Sequence, residues 1–249
     1  MNRLLAAVRF LTIVHVPGNW GTSADDLAAS VPFFPVVGLV LGAIAALPAW
    51  AAATWAPPMV TAALVVVLLI AFSGGLHMDG LSDTADGLLS SRPRDRMLEI
   101  MKDSHTGAMG VMAIAGVMLL KFAALASLGA ASLWTAVLLM PLAGRCAVVM
   151  HMALLPYVRS SGLGSVFYRR RPRATAVWAA GCLAGVAWAL LEWRGLAVWA
   201  ACAAMTLLSA VFFRRKIGGA TGDTFGAVCE LVEIVPALTL ALWPIPVVR

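Results

Sequence analysis

The chain has 249 residues, of which 61% are hydrophobic and 12% charged, with a mean hydropathy of +0.91. Soluble domains carry roughly a quarter charged residues, so this composition excludes an ordinary soluble enzyme and points to a bilayer protein. The net charge of +6 would suggest nucleic acid in a soluble chain, but here the basic residues flank apolar runs with few aromatics between them. They read as membrane-topology signals, and nucleic acid is not an expected partner.

Residues 1–17, MNRLLAAVRFLTIVHVP, join a basic start to an apolar run. No small-residue cleavage site follows, so this segment is expected to remain as an amphipathic helix at the membrane surface rather than to leave as a signal peptide. Apolar runs approaching the ~20 residues of a spanning helix then occur at 31–52, 58–76, 108–128, 134–155, 174–191, 195–213 and 225–247. The expected fold is all-α: a polytopic bundle of about seven transmembrane helices, with the amphipathic N-terminal helix and a short cytoplasmic helix carrying an aspartate cluster. There is no repeat of fixed period and no low-complexity linker, so residues 1–249 form one integral membrane domain.

Charge alternates between the connections. Arg3 and Arg9 precede the first span; Arg92, Arg94, Arg96 and Lys102 lie between the second and third. Arg159, Arg169, Arg170, Arg171 and Arg173 follow the fourth, and Arg214, Arg215 and Lys216 follow the sixth, together fourteen of the eighteen Lys and Arg. The positive-inside rule then puts the N-terminus and these loops in the cytoplasm and Arg249 outside. The run from Tyr168 to Arg173 reads first as such a signal with lipid-headgroup contact, and second as an electrostatic trap for a polyanionic substrate. Lys121 and Arg145 fall in mid-span, where charge is costly, so each is expected to be paired or to face a polar cavity; Glu233 is the leading partner for Arg145. The cysteines, Cys146, Cys182, Cys202 and Cys229, are too dispersed for metal or redox spacing and read as packing residues.

Acidic residues concentrate on the cytoplasmic side. In GGLHMDGLSDTADGL, residues 74–88, Asp79, Asp83 and Asp86 are separated by four and three positions and share one face of a helix. Three carboxylates so close repel one another, and a hard divalent cation removes the conflict. Magnesium fits this donor chemistry, because it binds through one or two carboxylates together with substrate phosphates. A solvated polar face is the alternative. His77 beside the cluster reads as a packing or hydrogen-bonding residue.

Two further stretches bear on an anionic substrate. In KDSHTGAMG, residues 102–110, Lys102, Ser104 and His105 supply donors, and Thr106 and Gly107 allow backbone N–H groups to approach an anion at a helix start. Asp103 or Ser104 as N-cap explains the same residues equally well. In GGATGDTFGA, residues 218–227, Asp223 begins a stripe continued by Glu230 and Glu233, if the helix starts near Thr221; the stripe either extends the metal site into the bundle or meets Arg145 or Lys121 in an ion pair.

These motifs resemble the cobalamin synthase family, adenosylcobinamide-GDP ribazoletransferases, almost from end to end. The likeness runs through RFLTIVHVP at 9–17, FFPVVGLVLGA at 33–43, the aspartate stretch, KDSHTGAMG, PLAGRCAVVM at 141–150 and GGATGDTFGA. The family's KDS stretch often continues with Arg, where this chain has His105 and Thr106. The resemblance implies a magnesium-dependent enzyme of the bacterial cytoplasmic (inner) membrane, its active site on the cytoplasmic face. Its partners would be adenosylcobinamide-GDP, α-ribazole or its phosphate, and the lipid bilayer, with GMP released; a homo-oligomer is left open. Asp79, Asp83, Asp86 and Asp223 are the expected catalytic residues, the first three holding Mg2+ and Asp223 preferred to Asp103 as general base. Lys102, Asp103, Ser104, Arg145 and Glu230 are the expected substrate contacts.

Two other readings compete. Another magnesium-dependent alcohol phosphotransferase acting on a nucleotide-diphosphate-linked substrate would resemble D-G-x-x-A-R, whereas Asp79 and Gly80 are followed by Leu81, Ser82, Asp83 and Thr84. A cation transporter built on Lys121, Arg145, Glu230 and Glu233 would need polar groups across the bilayer, and the outer connections hold almost none.

Overall fold

The structure, a computed structural model, describes residues 1–160, 162–169 and 173–243. Every regular element among them is helical: α1 (Asn2–Leu11), α2 (Ala24–Ala28), α3 (Phe34–Ala52), α4 (Pro58–Phe72), α5 (Leu76–Leu88), α6 (Arg94–Ile100), α7 (Ala108–Ala126), α8 (Ala130–Leu154), α9 (Leu163–Phe167), α10 (Arg173–Leu191), α11 (Trp193–Ile217), α12 (Gly222–Glu233) and α13 (Val235–Leu242). A single 3-10 turn, Val31–Phe33, leads into α3. The chain is an all-α bundle of the multi-pass membrane type.

Six helical segments are long and apolar enough to cross a bilayer: Val31–Ala52, α7, α8, α10, α11 and the α12–α13 pair. They answer six of the seven expected spans. The remaining one, expected at 58–76, is cut short. α4 has 15 residues, about 22 Å of helix against a hydrocarbon core of ~30 Å. Beyond it Gly74 (φ 60°) and Gly75 (φ 77°) take the left-handed conformation that glycine adopts without strain, and the chain bends by 89° into α5. α5 therefore leaves the direction of α4 and packs across α12 and α7. The last span is also broken, at Ile234, where Pro236 opens α13. Its expected end at 247, with Arg249, lies outside the described residues, as do Arg170 and Arg171 of the basic run. Arg169 of that run approaches Asp25 at 3.6 Å.

α8 is the central helix, buried along most of its length against α3, α10, α12 and α13. With lipid as solvent there is little hydrophobic drive between helices, so close backbone approach matters more. Gly38 and Gly42 of α3 provide it: a Cβ at Gly38 would stand 2.7 Å from the Pro141 carbonyl oxygen, and one at Gly42 would overlap Leu138. α1 is amphipathic, as expected, and turns Ala6, Ala7 and Leu11 inward. Phe10 then stacks on Phe34 and meets Phe167 edge-on at 4.9 Å, which anchors α1 to the bundle end.

Candidate active site

The site forms where α5 crosses the start of α12. Two glycines meet at this crossing: a Cβ on Gly80 would lie 2.7 Å from the Asp223 carbonyl oxygen, and a Cβ on Gly226 would lie 2.8 Å from that of His77. The helices are thus in backbone contact, and Asp79 and Asp83 of α5 come within electrostatic reach of Asp223. α12 starts where the sequence indicated. Thr221 caps it, accepting from the Thr224 N–H while the Thr224 hydroxyl accepts from the Thr221 N–H.

The three aspartates of α5 share a face but differ in surroundings. Asp79 is exposed, whereas Asp83 and Asp86 are half-buried. Burial first, and then the charges of Asp79 and Asp223, push the Asp83 carboxyl up to about 7. Asp86 is committed elsewhere: its two oxygens accept from the backbone N–H groups of Gly107 (2.7 Å) and Gly110 (2.8 Å) at the start of α7. Helix α7 is therefore capped from α5, and Gly107 is its N-cap residue. Neither Asp103 nor Ser104 takes that position. The anion at this helix start is a carboxylate of the chain itself.

Lys102, Asp103 and Ser104 lie on the exposed loop between α6 and α7. Asp103 closes a local turn, accepting from the His105 backbone N–H (3.0 Å) and meeting its ring Nδ1 at 2.7 Å. The side-chain bond to His105 holds the Asp103 carboxyl below the usual carboxylate range.

Arg145 and Glu230 sit inside the bundle, 2% and 3% exposed. Lys121 Nζ donates to Glu230 (2.7 Å) and to Glu233 (2.7 Å), and Arg145 donates to Glu233. Two cations and two carboxylates thus form one neutral network joining α7, α8 and α12. The expected Arg145–Glu233 pair is present, and Lys121 is its third partner.

In the sequence Arg159 is one more basic topology signal, yet in the structure it is 2.6 Å from Asp223. A short parallel bridge brings them together: the Val158 N–H donates to the Ala220 carbonyl (3.0 Å) and the Ala220 N–H to that of Pro156 (2.8 Å). This bridge ties the loop after α8 to the loop before α12. Arg159 Nη2 also donates to the Met101 carbonyl at 3.3 Å. Asp79, Arg159 and Asp223 line a cavity of about 230 Å³, together with His77, Phe10, Tyr157 and Phe225. Nothing local in the sequence distinguishes Arg159 from its basic neighbours, because its partner is far along the chain. Lys102, Asp103, Ser104, Arg145 and Glu230 do not line this cavity.

Among the described residues, no three His, Cys, Asp or Glu side chains gather tightly enough to form a ready-made metal cage. The donor set still suits a hard cation. Asp79, Asp83 and Asp223 gather beside the Arg159 guanidinium, and the Asp83 carboxyl, raised first by burial, is raised also by the charges of Asp79 and Asp223. Sparse carboxylates completed by substrate phosphates are the usual magnesium arrangement.

Residues 3–241 match the family model described as Cobalamin-5-phosphate synthase. A protein of Roseiflexus sp. (strain RS-1), named adenosylcobinamide-GDP ribazoletransferase, is 43% identical over 239 residues, covering 95% of this chain and 88% of its own length. Relatives with the same name occur in Desulforamulus reducens (41% identity, 92% of each chain) and Herpetosiphon aurantiacus (37% identity, 97% of this chain and 96% of the relative). No solved structure matches the chain. The match spans both the helical bundle and the α5–α12 crossing with its carboxylates, and the chain belongs to the cobalamin-5-phosphate synthase family.

Proposed function

We propose that this protein is an adenosylcobinamide-GDP ribazoletransferase, joining adenosylcobinamide-GDP to α-ribazole or its 5'-phosphate with release of GMP. The observation that carries this reading is the match over residues 3–241, with relatives of that name at 37–43% identity over nearly the whole chain. A ribose hydroxyl of the acceptor attacks the phosphorus nearer the cobinamide; one P–O bond forms, the diphosphate bridge breaks, and its oxygen leaves with GMP. Asp223, ionised beside Arg159, takes the hydroxyl proton and becomes neutral, and the Arg159 guanidinium then faces the negative charge of the phosphoryl group. Asp79 and Asp83 would hold Mg2+, which supplies charge neutralisation at the diphosphate when bound. Asp86 gives each oxygen to an amide and keeps one lone pair on each, so its share in an ion is secondary to its capping role.

On this reading α5, Arg159 and Asp223 lie on the cytoplasmic face of a bacterial inner membrane with the N-terminus on the same side, an orientation supported by the clustering of basic residues in those loops. The test is GMP release by detergent-purified protein supplied with both substrates. Release that requires both supports the reading. Cation flux through liposomes without such release would replace it with the transporter.

A further inference from the structure

The cavity that joins Asp79, Arg159 and Asp223 has a second character. Apart from these residues its wall is largely aromatic and aliphatic, with Phe10, Leu11, Val148 and Phe225 prominent. Its volume of about 230 Å³ suits a bicyclic base with its sugar, and is far too small for a corrin ring. Two lining residues carry buried polar atoms with no partner, Nδ1 of His77 and Nε of Arg159.

The two nucleosides of the proposed reaction differ in what they would bring here. Guanine presents amide, amino and keto groups along its edges, and burying them against Phe10, Leu11 and Val148 without partners is costly. α-Ribazole is the ribonucleoside of a dimethylated benzimidazole: its base is apolar except for one ring nitrogen, and its polarity resides in the ribose. On the transferase reading above, we propose that this cavity is the acceptor subsite. The apolar base lies against Phe10, Val148 and Phe225, and the ribose faces Arg159 and Asp223. The guanine nucleotide and the corrinoid of the donor then bind outside it.

The experiment measures equilibrium binding of α-ribazole alone to the detergent-purified full chain by calorimetry, with no donor present. Val148→Phe fills the cavity from α8, and Leu76→Trp narrows it from an exposed position on its rim. Both substitutions should weaken α-ribazole binding at least ~10-fold while the KM for adenosylcobinamide-GDP moves less than about twofold, as expected when apolar bulk enters a pocket for one substrate. GMP and guanosine should not compete. Asp83→Asn should lose transfer and still bind α-ribazole. Competition by GMP, or unchanged α-ribazole affinity in the variants alongside a raised donor KM, overturns the proposal. If Val148→Phe does not elute as a single folded species, Leu76→Trp decides by the same criteria. GMP release with unaltered α-ribazole binding in the variants sinks the subsite alone, whereas no release at all sinks the transferase reading beneath it.

Discussion

Asp83 and Asp86 are three positions apart on one helix and do different work. Asp83 has its carboxyl pushed up to about 7 by burial and by Asp79 and Asp223, and it accepts nothing from α7. Asp83→Asn keeps the shape and removes the charge, so the protein should elute and insert as the wild type while GMP release falls at least ~10²-fold. Added magnesium should recover part of that loss if ion affinity is the defect. Asp86→Asn acts on the helix start instead. An amide has one oxygen in place of two and sets an NH2 against one of the α7 amides, while the charge that favours the helix N-terminus disappears. We expect about 1–2 kcal/mol of lost stability, read as a lower midpoint in thermal aggregation, with a smaller fall in turnover than Asp83→Asn. Equal catalytic losses with no change in stability would make Asp86 a metal ligand first.

At the scale of elements, the ionic network links α7, α8 and α12 through side chains that water does not reach. Removing one member of a buried pair commonly costs ~3–5 kcal/mol because the survivor stays charged and alone. Arg145→Met leaves Lys121 facing both Glu230 and Glu233, a net negative charge in the bundle. Adding Glu233→Gln restores a neutral Lys121–Glu230 pair, so the double variant should be more stable in detergent than Arg145→Met alone. Strictly additive losses would show that the pair is not coupled. The sequence displayed part of this design. Charges in mid-span must find partners, so Arg145 pointed to Glu233, and Thr221 announced the start of α12. Lys121 was likewise legible as a candidate partner of the Glu230–Glu233 stripe, but its sharing between both carboxylates was not, because the rotation of α7 against α12 is set by packing and leaves no periodic trace. The Arg159–Asp223 pair was hidden for the same reason, as was the Gly80–Gly226 crossing that assembles the site. The bend at Gly74 and Gly75 was visible as two letters, but the surrounding hydropathy carried the expected span straight through it.

For the whole molecule, the question left by the short α4 is whether it crosses. Its length argues against a full span, but its ends do not. α3 starts at Phe34, which stacks on Phe10 of α1, and α4 ends at Phe72, whose carbonyl accepts from the Ile13 N–H at 2.9 Å just beyond α1. The start of α3 and the end of α4 therefore meet on one face, and the two helices go out and return as a hairpin. The same face collects the other basic connections: Arg94 Nε donates to the Ile217 carbonyl at the end of α11 (2.8 Å), and Arg159 reaches Met101 after α6. With α4 counted, seven passes place every one of these loops on the side of the N-terminus and residue 243 on the other. If α4 did not cross, α1 and α6 would be divided between two faces, against those contacts and against the charge distribution. Fusions of a cytoplasm-active reporter after Lys102, Arg159 and Lys216 should therefore all be active. A periplasm-active reporter fused after Trp243 should be active, and one at Trp55 in the α3–α4 turn should agree with it. Cytoplasmic activity at Trp55 would show that α3 and α4 do not make the excursion, and the α5–α12 site would then need a different membrane placement.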